Sequence, residues 1–324
     1  STEAKEFSMP IVLDGDARDY LRMRRAQSAM SSAGPLDPEA LRREERILRG
    51  RYGHGPEMRR ETERPARGGV PRHFVLEPTA APRGTLVYLH GGGWVMGEPE
   101  DYLAVCRALA AESGWRVVVA DYRKAPEHPF PAAFEDALAV VLEVLRDSGG
   151  RPVAVAGDSA GGNLAAAVSA ELGGGDSGPL AAQVLITPVL DSDLGTASYL
   201  DPDHQLSLTR EAMRWFWDCY APEQARDDVR LAPLRRTGFE SLPPTVFVSV
   251  RSDVLWSEGE QYLARLRRSG VPVRHREYPG QMHGFFQLYN VMASSQDAVA
   301  WIARELDEIV GERADDTTER GTPE

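Results

Sequence analysis

Pro152-Val153-Ala154-Val155-Ala156-Gly157-Asp158-Ser159-Ala160-Gly161-Gly162-Asn163-Leu164 decides the reading of this chain. An unbroken apolar run, a cluster of small residues and a helix-forming run ending Ala165-Ala166-Ala167-Val168 read as a strand covered on both faces, a tight turn and a helix. Ser159 falls on the turn. A serine there is held in a strained backbone conformation that needs small neighbours, and its hydroxyl stands above the sheet edge beside a helix N-terminus. Gly157-Asp158-Ser159-Ala160-Gly161 thus has the form of a nucleophile elbow. Five positions alone match many ordinary glycine turns, so the assignment rests on what surrounds them.

Outward from the elbow, strand-like and helix-like runs alternate. Strands are expected at 73–77, 85–89, 116–120, 152–156, 182–186, 245–250 and 272–278, and helices at about 102–112, 132–146, 159–172, 257–268 and 291–310. This alternation predicts an α/β fold, a mostly parallel sheet with helices on both faces, over residues 70–312. Two stretches stand outside it. Residues 1–69 carry helical rather than strand patterns: Tyr20, Met23 and Met30 share one face, and Asp37-Pro38 makes an N-cap and first-turn pair, with Leu41 and Leu48 inside and Gly50 closing. Neither helix has the apolar surface to stand alone, and a lid over the main domain is expected. Between the strands ending near Thr187 and starting near Thr245, an insertion at about 191–240 holds Met213, Phe216, Trp217 and Tyr220 at i, i+3, i+4, i+7 behind the cap residue Thr209. Its place after a sheet strand, where α/β folds keep their sites, makes the stripe a candidate for substrate contact as well as for plain core. Residues 313–324, polar and carrying Gly and Pro, are expected to form a disordered tail.

A length of 324 residues suits one large α/β domain with insertions. The net charge of -12 argues against a nucleic-acid partner, whose phosphates such a surface repels. Lys5 and Lys124 are the only lysines, leaving few candidates for Schiff-base chemistry, and Cys106 and Cys219 stand too far apart for a C-x-x-C site and read as buried thiols. The N-terminal residues lack a signal pattern and no apolar run reaches a membrane span, so a soluble, cytoplasmic protein is expected.

A serine hydroxyl needs a base, an acid to orient that base, and donors for the developing oxyanion. His90-Gly91-Gly92-Gly93-Trp94 follows the 85–89 strand, and its glycines let backbone N–H groups approach a ligand closely. Of seven histidines, His283, in Gly280-Gln281-Met282-His283-Gly284-Phe285, lies past the last strand and before the C-terminal helix, where a loop can carry an imidazole over the sheet edge. His90 is expected to hold the glycine loop's shape, and His128 to belong to a rigid turn. Asp253 follows the 245–250 strand at the same edge, whereas Asp158, nearer in sequence, is expected to point away from Ser159 and brace neighbouring loops. The order Ser159, Asp253, His283 matches an α/β-hydrolase triad.

Together, His90-Gly91-Gly92-Gly93, Gly157 to Gly161, Asp253-Val254-Leu255, His283-Gly284-Phe285 and the 121–132 segment resemble the bacterial hormone-sensitive-lipase family (family IV) of esterases over about residues 70–312. The resemblance implies an eight-stranded hydrolase sheet, a helical cap made by the N-terminal segment and the insertion, and oxyanion donation by the amides of Gly92, Gly93 and Ala160. Val254 departs from the proline usual after the acid, Trp256-Ser257-Glu258-Gly259 is slightly atypical, and the first 70 residues match no motif.

These readings predict a serine carboxylesterase that cleaves short- to medium-chain acyl esters, small-molecule substrates, through an acyl-enzyme and without metal or organic cofactor. Acyl transfer or lactone chemistry on the same triad, and a non-catalytic ligand-binding protein on the same fold, stand as alternatives. Trp94, Trp215, Phe216, Trp217 and Phe285 are candidate walls of the substrate pocket, with Phe286 beside them, and the 272–278 edge strand is a candidate homodimer surface.

Overall fold

The computed structural model describes residues 11–28, 36–49, 53–173 and 178–320. Met30 and Gly50, expected at the ends of two N-terminal helices, lie outside them.

Eight strands form one sheet: β1 (Arg60–Arg64), β2 (His73–Glu77), β3 (Thr85–Leu89), β4 (Arg116–Ala120), β5 (Val153–Asp158), β6 (Ala182–Ile186), β7 (Thr245–Ser249) and β8 (Val273–Glu277). Their order is β1-β2-β4-β3-β5-β6-β7-β8. β2 runs antiparallel to both β1 and β4, and all other pairs are parallel. The central strands read as continuous apolar runs because both faces are covered. Along β3, Val87 and Leu89 join one core cluster while Leu86 and Tyr88 join the other. Helices α3 (Pro99–Ser113) and α9 (Ala293–Arg320) supply the second cluster, with Val105, Leu109 and Ile302; α4 (Ala132–Asp147) and α5 (Ala160–Leu172) supply the first, with Phe134, Val141 and Leu164. Helix α8 (Trp256–Arg268) joins the first cluster through Tyr262, Leu263 and Leu266.

The segment before residue 70 holds helices α1 (Gly15–Ser28) and α2 (Pro38–Leu48), and Asp37 caps α2 by accepting the Ala40 amide at 2.9 Å. It also holds β1, contrary to the expectation of helices alone. Arg60-Glu61-Thr62-Glu63-Arg64 has no apolar alternation because it is an exposed edge strand, paired only through its backbone with β2. At the other end, α9 runs to Arg320, through residues expected to be a disordered tail; the helix-breaking Gly321 and Pro323 come only after it. Cys106 is buried, but Cys219 is only half-buried because it lies off the inward stripe of its helix. Among the described residues, no helix is long and apolar enough to cross a membrane.

The insertion between β6 and β7 carries α6 (Ala197–Leu200) and α7 (Arg210–Tyr220). Thr209 caps α7 by accepting the Ala212 amide at 3.1 Å, and Met213, Phe216, Trp217 and Tyr220 form its buried stripe. Asn163 anchors the insertion on α5, donating to the Val189 and Leu231 carbonyls at 3.0 and 2.8 Å.

Candidate active site

Parallel strands bring their C-terminal ends to one edge, and the loops leaving β3, β5, β7 and β8 meet there. β3 and β5 are neighbours, with Leu89 opposite Gly157, although 68 positions separate these residues in sequence. The glycine loop after β3 therefore sits beside the elbow after β5.

Ser159 adopts φ 54° and ψ -119°, a positive φ that few non-glycine residues take. The surrounding loops lock it there: its amide donates to the Ile186 carbonyl at 2.9 Å, and its carbonyl accepts from Val189 at 3.1 Å and Asn163 at 3.0 Å. The turn is tight enough to exclude side chains. A Cβ on Gly157 would strike the Gly161 carbonyl, and one on Gly161 would strike the Leu89 carbonyl.

Ser159 Oγ lies 2.9 Å from His283 Nε2, and His283 Nδ1 lies 2.6 Å from Asp253 Oδ2. The carboxylate can only accept, so Nδ1 carries the proton and Nε2 is left to accept the serine hydroxyl. The other oxygen of Asp253 accepts the Leu255 amide at 3.0 Å, which sets the carboxylate plane. Burial by itself disfavours the His283 imidazolium. The Asp253 carboxylate, by charge and hydrogen bond, and the Asp158 charge outweigh it, and the ring's pKa is raised above its ordinary value.

Asp158 points away from this line. Its Oδ1 accepts the Tyr88 hydroxyl at 2.8 Å and the Gly91 amide at 3.0 Å, bracing the glycine loop. Burial pushes its carboxyl up to about 6, against the lowering effect of the Tyr88 and Gly91 hydrogen bonds and the His283 charge. His90 is fully buried, its ring stacked 4.3 Å from Tyr122 and 5.4 Å from Tyr102, and burial lowers its pKa to about 3, so it stays neutral inside the loop. The Gly92 carbonyl accepts the amides of Val95 and Met96 at 3.1 and 2.8 Å, closing a turn. None of the Gly92, Gly93 and Ala160 amides donates to another described residue, and Ala160 opens α5, where the helix leaves its first N–H groups unpaired.

Above Ser159 and His283 lies a cavity of about 490 Å³, reached by Gly92, Gly93 and Asp158 from below and roofed by α1, α2 and α7. Tyr20, Leu21, Leu41, Leu206, Met213 and Trp215 contribute to a mostly apolar lining. Trp215 and Phe216 line this cavity, but Trp94, Trp217 and Phe285 do not. Trp94 takes a positive φ of 60° that folds its ring under the loop, against Tyr220 at 4.4 Å and Trp217 at 4.8 Å. Trp217 lies on the inward side of α7, two positions and about 200° round from Trp215. Phe285, like Phe286, is packed into the core with Tyr278 on the opposite face of the sheet.

Several site contacts come from segments without a motif. Ser207 Oγ donates to the His283 carbonyl at 2.9 Å, Gln205 makes a bridge with Asp253, and His204 Nδ1 lies 3.3 Å from the Asp253 carbonyl. Ser252 Oγ donates to the Gln281 carbonyl, tying the acid loop to the base loop. In the 204–208 segment, Leu206, Ser207 and Leu208 line the cavity, and His204, Gln205 and Ser207 hold the loops of Asp253 and His283. No periodicity or motif in these five residues marks that double role in the sequence.

The alpha/beta hydrolase fold family matches residues 86–287. Carboxylic ester hydrolase LipN of Mycobacterium tuberculosis is 36% identical over 242 residues, covering 70% of this chain and 64% of that protein. The ethyl acetate hydrolase of Pseudomonas putida is 31% identical over 230 residues, covering 68% of this chain and 72% of that protein. Among solved structures, an ester hydrolase from the metagenome of Lake Arreo, complexed with a bipyridine phosphonate derivative, superposes with a TM-score of 0.84 at 32% identity, covering 93% of this chain and 100% of that one. The chain belongs to the α/β-hydrolase fold family, in its hormone-sensitive-lipase-like group of carboxylic ester hydrolases.

Proposed function

We propose that this chain hydrolyses short- to medium-chain acyl esters through an acyl-enzyme on Ser159. The hydrogen-bonded line from Ser159 Oγ through His283 to Asp253, opening into the cavity, carries the reading. Ser159 Oγ attacks the ester carbonyl as its proton passes to His283 Nε2, forming the Oγ–C bond and an oxyanion. The amides of Gly92, Gly93 and Ala160 receive that oxyanion. Collapse breaks the C–O bond to the alcohol, and His283 returns the proton to the leaving oxygen. Water then attacks the acyl carbon as His283 takes its proton, the C–Oγ bond breaks, and His283 returns the proton to Ser159 Oγ as the acid leaves. Asp253 keeps Nδ1 protonated and balances the imidazolium charge.

The helices α1 and α2 and the insertion act as the cap, which supplies the apolar walls of the cavity. Its limited volume supports compact acyl chains, and the name of the ethyl acetate hydrolase relative agrees with that size class. The test is turnover of p-nitrophenyl esters from acetyl to palmitoyl by the wild type and by Ser159→Ala. Loss of turnover and of fluorophosphonate labelling in the variant is expected, with the wild type preferring chains of about eight carbons or fewer. Undiminished turnover in Ser159→Ala would overturn the mechanism, and a preference for palmitate would overturn the size class.

A further inference from the structure

One guanidinium joins the cap to the glycine loop. Arg42, on α2, donates from Nε to the Val95 carbonyl at 2.8 Å and from Nη2 to the Ala125 carbonyl at 2.8 Å. It also grips both oxygens of Glu127, at 2.8 and 2.7 Å. The two carbonyls belong to the structure that shapes the oxyanion loop. The Val95 and Met96 amides close the turn on the Gly92 carbonyl, and the Ala125 amide donates to the Trp94 carbonyl at 2.9 Å. Arg42 thus spans both sides of the Trp94–Ala125 contact. The same helix offers Leu41 and Glu45 to the cavity.

Other arginines of this segment behave differently. Among the described residues, the side chains of Arg46 and Arg49 reach only carboxylates, Glu39, Glu98 and Asp101. Such pairs dock a helix but do not hold loop carbonyls. The guanidinium fork donates to four acceptor atoms at once, and a lysine ammonium, a point charge with three donors, cannot meet all four.

We propose that Arg42 is a positioning residue for the reaction, which fixes the turn presenting the Gly92 and Gly93 amides and couples that turn to cap closure. This rests on the reading of Ser159 as the nucleophile and of those amides as oxyanion donors. A donor that drifts by a fraction of an ångström loses transition-state stabilisation more than ground-state binding. The signature is therefore a loss in kcat rather than a rise in KM.

The experiment measures kcat and KM for p-nitrophenyl butyrate in Arg42→Ala, Arg42→Lys and Glu127→Gln, with Tm for each and with guanidinium chloride added at tens of millimolar. Arg42→Ala is expected to lose kcat by about tenfold or more with KM within about threefold, and to recover part of it with guanidinium. Arg42→Lys, which keeps the charge beside Glu127, is expected to lose several-fold in kcat. Glu127→Gln leaves the two carbonyl contacts in place and is expected to stay within about twofold of the wild type. A rise in KM with unchanged kcat in Arg42→Ala would mean that Arg42 merely docks the helix, and the proposal fails. Equal losses in Glu127→Gln and Arg42→Lys would assign the effect to the ion pair and also overturn it. Should Arg42→Ala not fold, the comparison of Arg42→Lys with Glu127→Gln decides alone. Ser159→Ala separates the two levels: an active Ser159→Ala sinks the site assignment itself, whereas an inactive one beside Arg42 variants of normal kcat sinks only the role of Arg42.

Discussion

Asp158 Oδ1 accepts the amide of Gly91 at 3.0 Å, so the residue immediately before the candidate nucleophile holds the loop that follows β3. The Tyr88 hydroxyl shares the same oxygen at 2.8 Å. The elbow and the glycine loop are thus one rigid unit, joined by a buried carboxyl.

That carboxyl is held at a cost. Its pKa is raised from 3.8 to about 6, so between those values the folded chain binds more protons than the unfolded chain, and stability falls as pH rises through the window. Above about 6 the full penalty applies, on the order of 3 kcal/mol. Asp158→Asn retains an oxygen for both donors and has no charge to bury. Relative to the wild type it is expected to be more stable at pH 8 than at pH 4, by up to about 3 kcal/mol, as read from denaturant melts at the two pH values. A difference that does not change with pH would remove this account.

In the proposed mechanism His283 must be neutral to accept the Ser159 proton, and its pKa is raised by Asp253 and Asp158 against burial. Activity is therefore expected to rise with pH through an inflection above the ordinary imidazole value. The sign for folding is opposite: the charged ring's stabilising contribution is present below the unfolded pKa and is lost as pH rises through the folded one. Asp253→Asn removes the main raising charge. The expected outcome is a kcat lower by about 10⁴-fold, with the acid limb of the pH profile displaced downward. An unmoved limb would show that another group sets it.

A methyl group on Gly93 would collide with the Phe216 ring, and the φ of 60° there disfavours any side chain. Gly93→Ala is expected to reduce kcat by about 10²-fold or more by displacing one of the proposed oxyanion donors. Removing the obstacle in Gly93→Ala/Phe216→Ala is expected to return part of that loss, though not the backbone strain. No recovery in the double variant would mean that strain, rather than the ring, carries the whole effect.

The tryptophans separate wall from core. Trp215→Ala enlarges the cavity lining and is expected to shift the chain-length optimum towards longer acyl groups with little change in Tm. Trp94→Ala leaves a hole between Trp217 and Tyr220 and is expected to lower stability by about 3–5 kcal/mol. Parallel ester series and thermal melts check both, and a chain-length shift with Trp94→Ala at unchanged Tm would contradict the core assignment.

What could be read from the chain follows from where its physics is local. Six strands announce themselves as largely buried apolar runs, and Ser159 and Asp253 stand out because each falls just beyond such a run. β8, Val273-Arg274-His275-Arg276-Glu277, is only half-buried, and His283 stands out by its place between that last strand and the C-terminal helix. β1 does not announce itself, since an exposed edge strand can consist of polar and charged residues and take its place in the sheet through backbone pairing. The insertion's apolar stripe is visible by period, yet period cannot tell Met213 and Phe216, which line the cavity, from Trp217 and Tyr220 on the same stripe, which are packed in the core.

The sequence by itself determined the α/β alternation, the strained turn at Ser159 and the chain order of its candidate partners, because these depend on burial and backbone sterics within a few residues. Only the tertiary structure decided that β3 lies beside β5, that Asp158 braces Gly91, that Trp94 folds away from the cavity, and that Arg42 and Ser207 reach the loops around the site. Those contacts join residues scores of positions apart, and their geometry exists only once sheet order and cap packing have brought the loops to one edge.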